Sequence, residues 1–270
     1  MRLVFLSFYM KEISIVTYEQ FVRQVHQLMK IDLSQYKEAQ MKRRLTSFRD
    51  KKGFSDFEPF IQALKTDRQL RYEFLDRMTI NVSEFFRNLN RWQVLESKII
   101  PQILKTTTHL KVWSAACSTG EEPYTIAIIL SKFRSIDAYT IVATDIDDKA
   151  LHIAKLGTYR ERSFKNVPED VKTRYFLKDG HTYVINDDLK KHIVFQKHDL
   201  LSDPFDSGFD LIVCRNVMIY FTEEAKDRLY EKFSRSLKKD GFLFVGSTEQ
   251  IFDPQKYGMA REDTFFYRKR

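Results

Sequence analysis

The segment from Val112 to Pro123 constrains the fold of this chain more than any other. It reads Val-Trp-Ser-Ala-Ala-Cys-Ser-Thr-Gly-Glu-Glu-Pro, which predicts a short buried strand, a turn of small residues and a helix that starts near Pro123. Small residues in the turn let backbone and ligand approach closely, and a helix N-terminus offers free N–H groups. The segment Ile141–Asp145 predicts a second strand that ends in a carboxylate. Together these features predict a nucleoside-binding α/β unit in which Asp145 accepts hydrogen bonds from ribose hydroxyls.

The turn in this segment differs from the dinucleotide-binding fingerprint. No G-x-G-x-x-G is present, and Gly120 is the only one of the usual glycines. Strand–turn–helix units occur in every α/β protein, so the motif alone also fits a chain that binds no nucleoside. In that case Asp145 fits the N-cap of the next helix, and Glu121 and Glu122 are favoured by the positive N-terminal end of the helix that they begin.

Composition narrows the class of protein. The chain has 270 residues, a formal net charge of +8 and 43% hydrophobic residues, which indicates a folded protein with an acidic partner. Cys117 and Cys214 each end an apolar run, so we expect two buried thiols, no disulfide and no metal site. No apolar run reaches about 18 residues, so no membrane insertion is expected. Residues 1–16 are interpreted as an N-terminal extension, with Met10 as an alternative start.

Residues 17–80 are predicted to form a small all-helical domain, because apolar residues recur at helical spacing without a strand pattern. Gly53 is placed to end the second helix, and Ser55 with Glu58 forms a capping-box pattern for the third. The second helix region is basic and carries Lys37, Lys42, Arg43, Arg44, Arg49, Lys51 and Lys52. Such a run fits either a solvated helix face or a surface for an acidic partner.

Residues 81–270 are predicted to form a parallel sheet covered by helices on both faces, because strand and helix patterns alternate. The predicted strands include 111–116, 139–145, 209–213, 242–245 and 264–267, and the predicted helices include 123–133, 147–156 and one from Thr222. Residues 174–197 contain a Lys178-Asp179-Gly180 turn and predict a small antiparallel insertion built on a hairpin, with 192–195 as one of its strands.

Four motifs in this order resemble the chemotaxis receptor methyltransferase family (CheR): NVSEFFR at 81–87, SAACSTGEEPY at 114–124, ATDID at 143–147 and CRNVMIYF at 214–221. Their order and spacing make the resemblance specific, and it covers almost the whole chain. The resemblance implies an all-helical domain followed by a Rossmann-like α/β methyltransferase domain with a small antiparallel β-insertion. It also implies transfer of a methyl group from S-adenosylmethionine to glutamate side chains of methyl-accepting chemotaxis receptors, which leaves S-adenosylhomocysteine.

The resemblance implies a set of cofactor-binding residues: Asn81, Ser83, Arg87, Glu121, Glu122, Asp145, Asp199, Leu200, Arg215 and Asn216. One of the two glutamates, left open between Glu121 and Glu122, is expected to face the ammonium group of the methionine moiety. Asp145 is expected to bind the ribose, and Asp199 with Leu200 the adenine. The family usually has Thr at the position of Ser83, and its members often carry Asn at the position of Asp199.

The implied reaction requires alignment rather than a general base. A glutamate side chain has a pKa of about 4.3 and is ionised at neutral pH, and alignment is worth roughly 7–11 kcal/mol in well-oriented systems. We expect Arg87 and Arg215 to orient the reacting carboxylate and Tyr220 to hydrogen bond beside it. The basic residues expected to bind the acidic receptor helices are Lys42, Arg43, Arg44 and Arg49.

The expected partners are the cytoplasmic domains of the receptors, and the chain is expected to act as a cytoplasmic monomer without nucleic acid. A nucleic-acid methyltransferase is the first alternative that the basic charge allows. Its amino-methylating members carry an Asn/Asp-Pro-Pro-aromatic motif where this chain has Arg215-Asn216-Val217-Met218, and its cytosine C5 members carry Pro-Cys where Cys214 follows Val213. The second alternative is an adaptor that binds receptor or nucleotide and performs no chemistry.

Overall fold

The computed structural model describes residues 16–79, 83–133 and 138–270, and most of the predicted N-terminal extension lies outside these residues. The described chain divides into two compact units. The first contains residues 16–34 and 38–78, and the second contains 35–37 and the described residues from 79 onward.

The first unit is helical, with α1 (Tyr18–Met29), α2 (Glu38–Lys51), α3 (Phe57–Thr66) and α4 (Arg68–Met78). Its core contains Phe21, Phe60 and Phe74, which are fully buried with ring centroids 5.8–6.3 Å apart. Apolar residues at helical spacing bury one stripe of each helix against the others, which stabilises helices that would be marginal alone.

Of two predicted helix boundaries in this unit, one is confirmed and one is wrong. Helix α2 ends at Lys51 and Gly53 has a φ of 82°, so the prediction that Gly53 ends this helix is confirmed. The predicted capping box of Ser55 and Glu58 is wrong, because Asp56 is the N-cap of α3 and accepts a hydrogen bond from Glu58 N at 2.8 Å. The hydroxyl of Ser55 instead donates to the Asp56 carboxylate at 3.2 Å. A carboxylate one residue later satisfies the same helix N–H groups and takes over the cap.

The second unit contains ten strands within the described residues. They are β1 (Leu110–Ala115), β2 (Tyr139–Asp145), β3 (Thr158–Arg160), β4 (Phe176–Asp179), β5 (Thr182–Ile185), β6 (Ile193–Lys197), β7 (Phe209–Cys214), β8 (Leu237–Val245), β9 (Met259–Asp263) and β10 (Phe266–Lys269). Seven form a mixed sheet in the order β6-β2-β1-β7-β8-β10-β9, in which β10 is antiparallel to both of its neighbours.

The helices of this unit are α5 (Leu89–Val94), α6 (Ile100–Ile103), α7 (Glu121–Leu130), α8 (Asp148–Leu156), α9 (Glu169–Tyr175), α10 (Asp187–Lys190) and α11 (Glu223–Ser236). A π-helical stretch, Leu95–Ile99, joins α5 to α6. The predicted fold class, a helical region followed by an α/β region with a small antiparallel sheet, is confirmed. None of the helices in the described part of the chain is long and apolar enough to cross a membrane.

The small antiparallel sheet has a different third strand from the predicted one. Its order is β3-β5-β4, and Tyr159 on β3 pairs with Tyr183 on β5. The prediction that residues 192–195 belong to it is wrong, because β6 pairs in parallel with β2 at the edge of the large sheet. An edge strand exposes many of its side chains, so its sequence lacks the continuous apolar run of a central parallel strand.

Candidate active site

The candidate site lies at the carboxyl ends of β1, β2 and β7. The chain runs from β1 to β2 on one side of β1, and β7 pairs with β1 on the other side. Strand order therefore reverses between β1 and β7, and ligands of open α/β sheets bind in the crevice at such a point. The side chains that follow these three strands are the ones that the sequence analysis selected.

The turn between β1 and α7 has an unusual backbone. Ala116, Ser118 and Gly120 all have positive φ, at 63°, 49° and 95°. A Cβ at Gly120 would lie 2.8 Å from the Cβ of Ala154 and 2.9 Å from the Tyr159 hydroxyl, so only glycine fits there. Left-handed conformations at non-glycine residues cost about 1–3 kcal/mol each and are concentrated at functional sites. Ala116 and Ser118 therefore adopt a backbone conformation that is typical of glycine.

Asp145 ends β2 and helps to hold this turn. Its side chain is buried, and its two oxygens accept hydrogen bonds from Ser118 N at 2.8 Å and Asp147 N at 3.0 Å. Burial raises the pKa of Asp145 to about 6. The N-cap of α8 is Asp147, which accepts from Lys149 N and Ala150 N, so the helix-cap alternative for Asp145 is wrong. An ionised carboxylate offers about four acceptor positions, so Asp145 can still accept from a ligand hydroxyl beside its backbone donors.

The structure separates Glu121 from Glu122. The carboxylate of Glu121 accepts hydrogen bonds from the hydroxyls of Thr119 at 2.6 Å and Ser163 at 3.3 Å. Glu122 accepts from the Ser114 hydroxyl at 2.9 Å, and its other oxygen lies 3.6 Å from a terminal nitrogen of Arg215. Burial raises the pKa of Glu122 to about 7, although Arg215 and Ser114 act in the opposite direction. Glu122 is therefore the glutamate at the β1–β7 crevice, and its charge is incompletely compensated.

The raised pKa of Glu122 leads to a stability prediction. A carboxyl group whose folded pKa exceeds its unfolded value binds more protons in the folded state, so stability falls as pH rises from about 4.5 to 7. Because glutamine stays neutral, the free energy of unfolding of Glu122→Gln relative to the unaltered chain should increase as pH rises from 5 to 8. Urea unfolding at both pH values measures this difference, with the exposed Glu231→Gln variant as control. A gain that does not grow with pH would contradict the assignment.

Arg215, the first residue after β7, packs against two aromatic rings. Its guanidinium lies 5.0 Å from the ring centroid of Trp92 and 4.8 Å from that of Phe244. One terminal nitrogen donates to the backbone oxygen of Arg87 at 2.9 Å and to Asn88 Oδ1 at 3.2 Å. Its ring contacts and hydrogen bonds hold Arg215 in place, and its Nε is a buried donor without a partner among the described residues.

Three other predicted positions lie in two segments of the second unit. Asn81 is outside the described residues, whereas Ser83 and Arg87 are half-buried, and the Arg87 carbonyl accepts the Arg215 bond. Tyr220 is half-buried, and its backbone oxygen accepts a hydrogen bond from Lys37 N at 2.8 Å. The roles of these side chains toward a cofactor stay predictions.

Asp199 and Leu200 lie in the loop after β6, at the same edge of the sheet. Asp199 Oδ1 accepts a hydrogen bond from Leu201 N at 2.9 Å, and its own N donates to Asp203 at 2.8 Å. Leu200 is buried. Asp199 therefore shapes this turn, and the adenine contact predicted for the pair stays a prediction.

The four basic residues predicted to bind substrate have unequal surroundings in the helical unit. Arg44 donates to the Met78 carbonyl at the end of α4 at 2.6 Å, and Arg49 pairs with Asp50 while lying 4.7 Å from the Phe57 ring centroid. Lys42 and Arg43 are exposed, although Lys42 Nζ also lies 5.3 Å from the Tyr18 ring centroid, and Arg43 lines two shallow grooves beside α2. Arg44 and Arg49 therefore stabilise the helical unit, and Lys42 with Arg43 forms the accessible part of the basic face.

Sequence reasoning missed Glu249, a buried carboxylate in the loop after β8. Backbone N–H groups of Asn216, Met218, Ile219 and Gly246 donate to it over 2.7–3.3 Å. The one available signal was its position just beyond an apolar strand that ends at the same sheet edge. Nothing in the local sequence indicates that three of its four donors lie 30–33 residues away.

The two thiols are buried and free, as predicted. Burial raises the pKa of both Cys117 and Cys214, so neither is prepared to act as a nucleophile. This finding disfavours the cytosine C5 chemistry considered for Cys214. Among the residues that the structure describes, no cluster of His, Cys, Asp and Glu could hold a metal ion.

Known families and proteins are similar to this chain along nearly its full length. Residues 17–79 match the CheR methyltransferase all-alpha domain, and residues 81–266 match the CheR methyltransferase SAM binding domain. A chemotaxis protein methyltransferase of Listeria innocua is 47% identical over 253 residues, which cover 93% of this chain and 97% of that protein. Another from Borreliella burgdorferi is 36% identical and covers 82% of this chain and 83% of its own length. The predicted family and cofactor are confirmed: the chain belongs to the CheR family of S-adenosylmethionine-dependent methyltransferases.

Proposed function

We propose that this methyltransferase esterifies glutamate side chains on the cytoplasmic domains of chemotaxis receptors and does so as a cytoplasmic monomer. The observation that carries this proposal is the crevice between β1 and β7, where Glu122 and the buried Arg215 lie side by side. A negative group there suits an ammonium, and a positive group suits a carboxylate. The methionine moiety of the cofactor carries an ammonium and a carboxylate, and an ionised glutamate side chain carries a carboxylate.

The residues of the site fit S-adenosylmethionine. Asp145 has acceptor positions for ribose hydroxyls, and Glu122 would gain a compensating charge from the ammonium of the methionine moiety. The partnerless Nε of Arg215 supplies a buried donor for a carboxylate. Asn81, Ser83, Arg87, Glu121, Asp199, Leu200 and Asn216 complete the proposed cofactor set. When bound, the cofactor supplies an electrophilic methyl group on a sulfonium.

The chain's own residues supply orientation and a dry environment rather than proton transfer. A glutamate with a pKa of about 4.3 arrives ionised, so no general base is needed. Trp92 and Phe244 pack against the Arg215 guanidinium from the same side and shield it there from water, which strengthens its interaction with an incoming carboxylate. Because the reacting carboxylate loses its charge as the ester forms, a site that excludes water favours the reaction. Arg87 and Arg215 would orient that carboxylate, and Tyr220 would donate a hydrogen bond beside it.

The helical unit is proposed to bind the receptor through the exposed part of α2. Receptor helices that carry several glutamates are acidic, and Lys42 and Arg43 offer positive charge on an accessible face. The net charge of +8 also favours association with an acidic receptor.

The kind of bond formed is tested directly with labelled methyl groups. The chain is incubated with S-adenosylmethionine labelled on the methyl group and with a receptor cytoplasmic fragment, and the protein is then treated with mild base. We expect the label to leave as methanol, since a carboxyl ester hydrolyses in base whereas a methylated amine does not. A fragment whose acceptor glutamates are replaced by alanine serves as the control. Label that stays on the protein after base treatment would contradict glutamate esterification.

A further inference from the structure

The loop Arg215–Phe221 carries Arg215, Asn216 and Tyr220, and a carboxylate outside the loop holds its first half. Glu249 is 4% exposed. Its Oε2 accepts hydrogen bonds from Asn216 N at 2.7 Å and Gly246 N at 2.8 Å. Its Oε1 accepts from Met218 N at 2.7 Å and Ile219 N at 3.3 Å. Three of its four donors therefore belong to the loop.

The hydrogen-bonding capacity of Glu249 is used up by these contacts. An ionised carboxylate offers about four lone-pair positions, and four backbone N–H groups occupy them. Glu249 thus has no position left for a substrate or a proton, so its effect on a reaction must pass through the loop that it binds.

The backbone around Glu249 is built to receive it. Asn216 has a φ of 61°, a left-handed conformation that asparagine tolerates better than most residues. A Cβ at Gly246 would collide with Glu249 Oε2 and lie 2.9 Å from Asn216 N. Glycine at this position therefore leaves the space that the carboxylate fills.

The second half of the loop is held by the segment Gln35–Lys37, which belongs to the same compact unit. Lys37 N donates to the Tyr220 carbonyl at 2.8 Å, and Thr222 N donates to the Gln35 carbonyl at 2.9 Å. The rings of Tyr36 and Phe221 meet edge to face with centroids 5.1 Å apart. Loss of Glu249 would thus release the first half of the loop, while the end beside Tyr220 stays attached.

We propose that Glu249 is a positioning residue for methyl transfer, which fixes the turn at Asn216 so that Arg215 and Tyr220 face the reacting groups. This inference rests on the proposed function for its catalytic part only. The structural part, that Glu249 holds the loop, is independent of which substrate is methylated.

Glu249→Gln is the informative substitution. The glutamine amide keeps one acceptor oxygen and turns an NH2 group toward two backbone donors, so two N–H groups lose their partner. Glu249→Asp keeps the charged acceptor on an arm that is one methylene shorter. Glu231→Gln, on the exposed surface of α11, is the matched control.

The first measurement is amide hydrogen exchange of the full-length chain, which needs no substrate. We expect peptides that cover 215–221 to exchange about tenfold faster in Glu249→Gln than in the unaltered chain, whereas peptides from β1 and β2 stay unchanged. The Glu249→Asp variant should lie between them, and Glu231→Gln should match the unaltered chain. Unchanged exchange in the loop, or faster exchange throughout the unit, would overturn the proposal.

The second measurement is the kinetics of receptor methylation. We expect kcat to fall about tenfold in Glu249→Gln with KM for the receptor fragment within about twofold, because a displaced loop weakens interactions made in the transition state. In a Tyr220→Phe background the same substitution should lower kcat by less than about threefold, since both changes act through one loop. Strictly multiplicative losses would indicate a general structural effect and overturn the positioning role.

The two measurements separate the possible failures. If the unaltered chain methylates no receptor glutamate, the proposed function fails, yet hydrogen exchange still decides whether Glu249 holds the loop. If Glu249→Gln does not fold, Glu249→Asp carries the same test. A lowered kcat in that variant with unaltered exchange over 215–221 would overturn the proposal.

Discussion

Replacement of Asp145 by alanine is expected to weaken S-adenosylmethionine binding by about 100-fold. Loss of a hydrogen bond to a charged group costs about 1.5–3 kcal/mol, and each 1.4 kcal/mol is about tenfold in affinity. The upper end applies because the substitution has a second effect in this structure. The N–H groups of Ser118 and Asp147 lose their acceptor, and the left-handed turn at Ser118 loses the bond that fixes it.

Calorimetric titration of the cofactor into each variant measures this effect. Asp145→Asn retains the shape and one acceptor oxygen, so we expect a smaller loss, on the order of tenfold. Asp148→Asn is the matched control, because Asp148 is an exposed aspartate three residues away that pairs with Lys197 at 2.6 Å. A folded Asp145→Ala variant with unchanged affinity would show that the ribose is bound elsewhere.

The central strands were predictable because they are buried on both faces. Val112, Ile141 and Leu211 lie in continuous apolar runs and are fully buried in adjacent parallel strands. Strands at the edges of the two sheets have less distinctive sequence patterns. Thr158–Arg160 is only three residues long and Met259–Asp263 has one buried side chain, so neither showed a recognisable pattern. Residues 192–195 were assigned to the wrong sheet because the local sequence of a strand does not indicate which distant segment it pairs with.

The candidate site was predictable where a side chain follows a strand, and it was missed where a side chain binds backbone. Asp145 is the last residue of β2, and Arg215 is the first residue after β7. The alternation of strands and helices was therefore enough to predict that both lie at the same edge of the sheet. Glu249 acts on backbone N–H groups, which every residue carries, so no residue pattern in the loop indicates it. The hydrogen bond from Arg44 to the Met78 carbonyl could not be predicted for the same reason, because its acceptor is a backbone group. This bond assigns Arg44 a structural role in the helical unit instead of the predicted role in substrate binding.

Reversing the charge of Lys42 and Arg43 to glutamate is expected to slow receptor methylation by roughly ten- to hundredfold at low salt. Electrostatic complementarity raises association rates by this order and more, and the effect decreases as salt screens exposed charges. Arg44 and Arg49 are left intact, because Arg44 binds the Met78 carbonyl and Arg49 packs on the Phe57 ring. Because Lys42 also lies 5.3 Å from the Tyr18 ring centroid, an unchanged urea unfolding midpoint of the double variant is required before a loss of activity is assigned to the exposed face of α2.

The matched control reverses two other exposed cations of the same unit, Lys65 and Arg68, and so changes net charge by the same amount. Both variants are assayed for receptor methylation over a salt series, and cofactor affinity is measured in parallel. We expect the α2 variant alone to lose kcat/KM for the receptor fragment, with the difference narrowing as salt rises and cofactor affinity unchanged. Equal losses in the two variants would mean that net charge matters and that α2 has no specific role. Full activity of the α2 variant at low salt would leave Lys42 and Arg43 as ordinary solvated side chains, because a docking surface cannot tolerate reversal of its accessible charge without a loss of association rate.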